Sequence, residues 1–184
     1  MKNKRFIIFI LIIIILLIIH NLFNKYTRVT GVCGITYRVL NSSIKQKVAN
    51  KFCELGNETV KLQKYLKNYF PNDPRTKRIL NRFHGNSMVE NPKETYTMFK
   101  GYSINMCMQK NDTELYSNNL LMFVLLHELT HILNAGFNHT KSYWADNVWL
   151  MKCASNCGIY TNVNYQRYPV NYCGIVINKH PSYQ

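Results

Sequence analysis

Five consecutive residues in the second half of the 184-residue chain combine two imidazoles and a carboxylate at helical spacing. The segment reads His127-Glu128-Leu129-Thr130-His131, which is an HExxH pattern. In a helix, histidines at positions i and i+4 lie on one face, so both can ligate one Zn²⁺. The carboxylate of Glu128 is then placed to accept a proton from a water that the metal activates. The pattern predicts metal-assisted hydrolysis.

A zinc site built on this motif needs a third protein ligand. Downstream of the motif the only acidic residue is Asp146, and the only histidines are His139 and His180. His139 follows a glycine that lets the chain turn back to the helix, so it is the best-placed candidate. Asp146 is the alternative, as a ligand or as a group that positions one. His180 lies close to the C-terminus, where we expect it to be exposed.

The elements around the motif indicate an α+β fold. Residues 120–133 are apolar on every side, which is typical of a buried helix. Two apolar runs, Thr95–Phe99 and Tyr102–Met108, flank Lys100-Gly101 and predict a β-hairpin. The remaining predictions are a strand at 35–40, a helical region at 44–69 with a break or kink at Gly56, a short helix capped by Asp73 and ending near Phe83, a loop at 84–94, a helix from Lys141 or Ser142 to about Cys157, and a last strand at 174–177.

The region around the motif resembles the WLM and SprT-like minimal zincin metalloproteases. The resemblance is carried by HELTH at 127–131, by Gly136 and His139, and by the aromatic residues of segments 143–144 and 148–150. It covers residues 120–150 and implies a small mixed sheet packed on the HExxH helix. It also implies Zn²⁺ held by His127, His131 and His139, with Glu128 as the base. Residues 158–174 are similar to uncharacterised WLM-like proteins of large DNA viruses.

The resemblance has further implications and one departure. It places Tyr102–Met108 at the sheet edge, where an extended substrate pairs with a zincin. It calls for a group that stabilises the oxyanion, and four tyrosines are candidates among which the sequence does not choose: Tyr160, Tyr165, Tyr168 and Tyr172. The departure is the spacing, because Phe137 and Asn138 separate Gly136 from His139 where the family has an adjacent pair.

The N-terminus has a different composition. Three basic residues precede the unbroken apolar run at 6–19, and no small-residue cleavage site follows it. We therefore expect an uncleaved signal anchor at 1–26, in contact with the membrane through residues 6–23, and a zincin-like domain at 27–184. The expected location is a single-pass membrane protein whose domain is extracytoplasmic or on a virion surface.

Cysteine content and charge bear on the compartment and the partners. The six cysteines fit three disulfides of open connectivity, although Cys153 and Cys157 can also be buried thiols or, less simply, zinc ligands. The formal net charge is +14, but no block of five or more like charges occurs. Nucleic acid is therefore not the expected partner.

The function expected from the sequence is a membrane-anchored zinc metalloprotease that hydrolyses a protein or peptide substrate. The first alternative is a catalytically silent zincin-fold surface or virion membrane protein used for binding or entry. A second alternative is a basic protease associated with nucleic acid. The sequence assigns no oligomeric state.

Overall fold

The computed structural model describes residues 7–17, 25–136, 138–179 and 181. The helices are α1 (residues 7–17), α2 (Lys45–Tyr69), α3 (Pro74–Arg82), α4 (Asn118–Leu133) and α5 (Lys141–Asn156), with a 3₁₀ turn at Gly85–Ser87. The strands are β1 (Tyr26–Thr30), β2 (Thr36–Leu40), β3 (Met88–Glu90), β4 (Tyr96–Met98), β5 (Ser103–Met106), β6 (Val170–Tyr172) and β7 (Ile175–Ile177). The α+β class predicted from the sequence agrees with these elements.

The strands form three small sheets. Strands β1 and β2 make an antiparallel pair, and so do β6 and β7. The third sheet has the order β3-β5-β4, with β3 parallel and β4 antiparallel to β5, so it is mixed. Its position is fixed by α4, which packs against β4 on one side and against α3 and α5 on others.

Helix α4 carries the HExxH motif through the core. Twelve of its sixteen residues are buried, as its all-round apolar sequence predicts. The hydroxyl of Ser117 caps its first turn by accepting a hydrogen bond from the Leu120 amide. The helix ends at Leu133, and the next helix, α5, begins eight residues later at Lys141. This short connection brings His139 back toward the motif.

Two local predictions differ from the structure. Helix α2 is continuous, so the predicted break at Gly56 is wrong, and Gly56 is buried against Gly85 and Met88. Strand β3 occupies part of the predicted loop at 84–94, because three residues are too few to show a period of two. At its end, the buried Glu90 carboxylate accepts hydrogen bonds from Leu40 N (2.6 Å) and Gln109 Nε2 (2.8 Å). Burial raises the pKa of this carboxyl.

The expected membrane anchor is wrong. Within the described ranges, no helix combines the length and the apolar character needed to cross a bilayer. The N-terminal helix α1 is described over residues 7–17, and residues 1–6 and 18–24 of the assigned anchor lie outside the described residues. The predictions of an N-terminal transmembrane helix and of a single-pass membrane location are therefore both wrong. Strand β1 also begins at Tyr26, inside the segment assigned to the anchor.

The expectation of three disulfides is also corrected. The structure contains two, Cys33–Cys53 and Cys107–Cys173. Cys153 and Cys157 are free thiols, the first buried and the second partly so. They lie one turn apart at the end of α5, and burial raises the pKa of Cys153 to about 11, which disfavours the thiolate needed for metal binding.

Candidate metal centre

The three histidines singled out in the sequence meet at one point. His127 and His131 project from one face of α4, and His139 approaches from the connection to α5. Its Nε2 atom lies 3.0 Å from His127 Nε2 and 3.1 Å from His131 Nε2. All three ligand atoms lie within 4.8 Å of one another. Among the described residues, this is the group of histidine, cysteine and acidic side chains that fits a metal ion.

The two distances from His139 Nε2 are close to the nitrogen spacing of a tetrahedral metal site. With Zn–N bonds of 2.0–2.1 Å, two imidazole nitrogens on a tetrahedron are about 3.3 Å apart. Hydrogen bonding accounts for the cluster less well, because the Nε2 atom of His139 carries either one proton or one lone pair and faces two other nitrogens. The three imidazoles gathered here would supply three protein ligands, the number found in catalytic zinc sites.

The electrostatic surroundings favour neutral imidazoles, which is the form that ligates metals. Burial, together with positive charge on the neighbouring imidazoles, lowers the pKa of His127 to about 3 and that of His131 to about 4. Burial also lowers the pKa of the more exposed His139. The cluster therefore presents lone pairs at neutral pH.

Glu128 lies beside the histidines with its carboxylate buried and hydrogen-bonded. The side chain is 4% exposed, and burial raises its pKa to about 7. The hydroxyl of Thr97, on strand β4, lies 2.8 Å from Glu128 Oε2 and 3.1 Å from the Glu128 carbonyl oxygen, and this hydrogen bonding opposes the rise. A carboxyl with a pKa near neutrality exchanges protons readily, as a general base requires.

Two aromatic residues of α5 back the histidines. The Tyr143 ring lies 4.6 Å from the rings of both His131 and His139, and its hydroxyl donates to the His127 carbonyl oxygen at 2.9 Å. Trp144 stacks on His139, with ring centroids 5.4 Å apart and planes 21° apart. The imidazoles are thus held by packing as well as by the helix that carries two of them.

The connection that carries His139 is held by a polar network. The Asn134 side chain accepts from the Gly136 amide and donates to Asp146 Oδ2, both at 2.8 Å. Asp146 in turn accepts from Arg75 Nη1 at 3.3 Å. The alternative role of Asp146 as a metal ligand is therefore wrong, because its carboxylate is engaged by Asn134 and Arg75 and lies outside the histidine cluster. It supports the path of the chain that brings His139 to its partners.

Lys100 also holds the connection between α4 and α5. Lys100 Nζ donates to the carbonyl oxygens of Asn134, at 3.1 Å, and of Gly136. It belongs to the β4–β5 turn, in which Phe99, Lys100 and Gly101 all have positive φ. This turn therefore ties the mixed sheet to the connection between α4 and α5.

The edge of the mixed sheet differs from the expectation. Strand β5, within the predicted edge Tyr102–Met108, is the middle strand of its sheet, and β4 is the edge next to α4. A groove of about 390 Å³, here called the metal-side groove, separates β4 from the histidines. Its lining comprises Thr95, Tyr96, Thr97, Phe99, Lys100, His127, Glu128, His131 and His139. The turn after β4 reverses the chain, so the edge is one strand earlier than predicted.

The remaining sequence candidates lie in different surroundings. Tyr160 and Tyr165 pack on Phe123 in the core, and Tyr168 is exposed. The Tyr172 hydroxyl donates to the Cys107 carbonyl oxygen at 2.8 Å and lies 2.7 Å from Thr95 Oγ1. His180 lies outside the described residues, as does Phe137.

Three further residues of the site were not predicted as site residues from the sequence. Thr97 hydrogen-bonds Glu128, and Lys100 hydrogen-bonds the connection between α4 and α5. Tyr143 hydrogen-bonds the His127 carbonyl oxygen. Each is of a type that is common in strands, turns and helix faces, and each acts across a long-range contact. Only the position of Tyr143 in the family-like segment 143–144 pointed toward the site.

The comparisons with known proteins connect the chain to viral proteins. Uncharacterised protein R325 of Acanthamoeba polyphaga mimivirus is 30% identical over 153 residues, which cover 78% of this chain and 78% of that protein. Uncharacterised protein 042R of Invertebrate iridescent virus 3 is 34% identical over 97 residues, which cover 52% of this chain and 58% of that protein. No protein-family model matches, and no solved structure matches significantly. The chain belongs to the family of the mimivirus protein.

Proposed function

We propose that this protein is a zinc-dependent metallopeptidase of the minimal zincin type. The observation that carries the proposal is the convergence of the Nε2 atoms of His127, His131 and His139 beside the buried carboxylate of Glu128. Two of these histidines and the glutamate share one helical turn, and the third arrives from a separately held connection. A set of three histidine ligands is typical of catalytic rather than structural zinc sites.

When bound, Zn²⁺ would supply Lewis-acid activation of a water and of a substrate carbonyl. The protein residues divide the remaining work. Glu128 accepts the proton of the attacking water and returns it to the leaving amine. Thr97 holds one carboxylate oxygen of Glu128 and so fixes the direction in which the other acts. Tyr143 and Trp144 restrict the imidazole rings by packing.

The proposed substrate is an extended peptide bound along β4. An edge strand presents unpaired backbone amides and carbonyls, to which an extended chain can add as a further strand. The metal-side groove runs between this edge and the histidines, so a peptide on β4 would pass directly over Glu128.

The experiment compares the full chain with its Glu128→Gln and His131→Ala variants. Bound zinc is measured by mass spectrometry and hydrolysis with an unfolded protein substrate such as casein. We expect the wild type to bind one zinc and to cleave. Glu128→Gln should keep the zinc and lose activity by about 10²–10⁴-fold, the usual contribution of a general base. His131→Ala should lose both.

Other outcomes would contradict the proposal. Equal cleavage by the wild type and Glu128→Gln would remove the assigned base. A wild type that binds zinc but cleaves no protein or peptide would favour the non-catalytic binding alternative. Failure to bind any zinc at neutral pH would remove the metal centre.

A further inference from the structure

A second cleft opens beside the metal-side groove. Its volume is about 660 Å³, and it is here called the apolar cleft. Helix α4 contributes Phe123 and Val124 to its inner wall, and α5 contributes Trp144. Strand β7 forms the outer wall with Ile175, Val176 and Ile177. Most of its surface is therefore aliphatic or aromatic.

The outer wall is an exposed apolar hairpin. Ile175 is 62% exposed and Val176 57%, although both belong to a strand. Apolar side chains grouped at the mouth of a cleft mark a binding surface more often than isolated ones do. The hairpin reverses at Cys173 and Gly174, whose φ angles are +47° and +82°, so the two strands are joined by a tight two-residue turn.

The tip of this hairpin is tethered to the mixed sheet. The Cys107–Cys173 disulfide joins it to the residue after β5. The Cys173 amide donates to the Tyr116 hydroxyl at 2.8 Å, and the Tyr172 hydroxyl donates to the Cys107 carbonyl oxygen at the same distance. Strand β7 itself pairs with β6 alone among the described strands. The position of the wall therefore depends on a few contacts at its tip.

The apolar cleft is continuous with the proposed catalytic site. Thr95, His127 and Glu128 line both the cleft and the metal-side groove. A ligand held at the histidines can therefore place a neighbouring side chain in the cleft without crossing a barrier. Because the two cavities are continuous, we expect the group that fills the apolar cleft to belong to the same molecule that reaches the metal, and not to a separate partner.

We propose that the apolar cleft binds a bulky apolar side chain, aromatic or long aliphatic, next to the peptide bond that is cleaved. The hairpin tethered by Cys107–Cys173 is the wall that selects this side chain. The inference rests on the proposed function of the same site. It adds a substrate class and a specificity-determining element, the hairpin whose strand β7 carries Ile175.

The experiment measures binding of two hydroxamates to the zinc-loaded full chain by calorimetry. Acetohydroxamate reaches only the metal, whereas 3-phenylpropanohydroxamate carries a phenyl group that can enter the cleft. Burial of a phenyl group of about 100 Å² predicts binding about 70-fold tighter for the second compound. Equal affinities for the two compounds would overturn the inference and leave the metal centre intact. Binding of neither would remove the metal centre and the inference together.

Variants locate the effect on the hairpin. Ile175→Glu should reduce the preference for the phenyl compound to about threefold or less, because burying a carboxylate beside the ring is unfavourable. The Cys107→Ser/Cys173→Ser double variant should reduce the preference for the phenyl compound as well. The affinity for acetohydroxamate should be unchanged in this variant and in Ile175→Glu. The matched controls are Val32→Glu, at an exposed valine outside the cleft, and Cys33→Ser/Cys53→Ser.

The controls decide between a local and a general effect. Both should retain the full preference for the phenyl compound. A preference that survives Ile175→Glu, or that falls equally in Val32→Glu, would show that the hairpin is not the selective wall. If the Cys107→Ser/Cys173→Ser variant does not fold, the pair Ile175→Glu and Val32→Glu gives the same decision.

Discussion

The two walls of the apolar cleft are built in opposite ways. Helix α4 has twelve buried residues of sixteen and is packed on α3, α5 and β4. In the hairpin of β6 and β7, only Tyr172 among the six strand residues is buried. The first wall is held by extensive burial, and the second by one disulfide and two tyrosine hydroxyls.

This difference separates chemistry from recognition. A metal site needs ligand atoms fixed to within a fraction of an ångström, which a buried helix provides. A wall that contacts only substrate side chains can be lightly held, because low local stability permits adjustment to different ligands. We therefore expect perturbations of α4 to change metal binding, and perturbations of the hairpin to change ligand preference.

Zinc binding beside α4 should have the largest effect on the stability of the fold. Zn²⁺ at a thousand times its dissociation constant should stabilise the fold by about 4 kcal/mol, and a chelator should reverse this. Hydrogen exchange should slow in segment 127–139 and stay unchanged in the hairpin. His131→Ala is the control that should show no zinc response, and Mg²⁺ should be ineffective. An equal slowing of hydrogen exchange in α4 and in the hairpin would contradict the assignment of metal binding to the α4 wall.

Loss of the hairpin tether should have the next largest effect. The Cys107–Cys173 bond closes a loop of 66 residues, for which the chain-entropy estimate is about 4 kcal/mol, against about 3 kcal/mol for the 20-residue loop of Cys33–Cys53. Denaturant unfolding of the two double-serine variants tests this order. Zinc affinity should be the same in both. A loss of zinc confined to Cys107→Ser/Cys173→Ser would show that the tether also supports α4.

Removal of the Thr97 hydroxyl should have a smaller effect on the chemistry. Thr97→Val keeps the shape of the side chain but leaves the buried Glu128 carboxylate without this donor, at a cost of about 2 kcal/mol. We expect kcat to fall by about 10–30-fold, with KM and zinc content nearly unchanged. Thr36→Val, at an exposed threonine of β2, is the control. Unchanged kcat would show that Thr97 is structural only.

The smallest expected effect is that of Tyr143→Phe. This change removes the hydrogen bond to the His127 carbonyl oxygen and keeps the ring that packs on His131 and His139. We expect a loss of stability of about 1 kcal/mol and a modest weakening of zinc binding. Tyr143→Ala should be far more damaging to zinc binding. Equal zinc affinity in the two variants would mean that the ring does not position the histidines.

The sequence predicted the elements whose signals are local and strong. The buried helix α4, the hairpin of β4 and β5, helix α5 and the strand at Ile175–Ile177 all lie where periodicity and turn residues indicated. Asp73 caps α3 as predicted, accepting from the Arg75 amide at 2.8 Å. The convergence of His127, His131 and His139 also follows from helical spacing and a short connection.

The errors share a physical cause, which is that long-range contacts leave little trace in a local pattern. Strand order made β4 rather than β5 the edge, and packing against the 3₁₀ turn explains why α2 continues through Gly56. The even number of cysteines suggested three disulfides, but the thiols of Cys153 and Cys157 remain separate along one face of α5. An apolar N-terminal run suggested a membrane span that no described helix provides.

The sequence by itself determined the candidate chemistry, because an i, i+4 pair of histidines with an adjacent glutamate is fixed by helix geometry alone. The tertiary structure decided everything that surrounds this chemistry. It placed Thr97 on the carboxylate, engaged Asp146 with Arg75 and Asn134, and set a disulfide-tethered hairpin across the cleft. These contacts join residues far apart in the chain, and their energies come from burial and hydrogen bonding that exist only once the elements have packed.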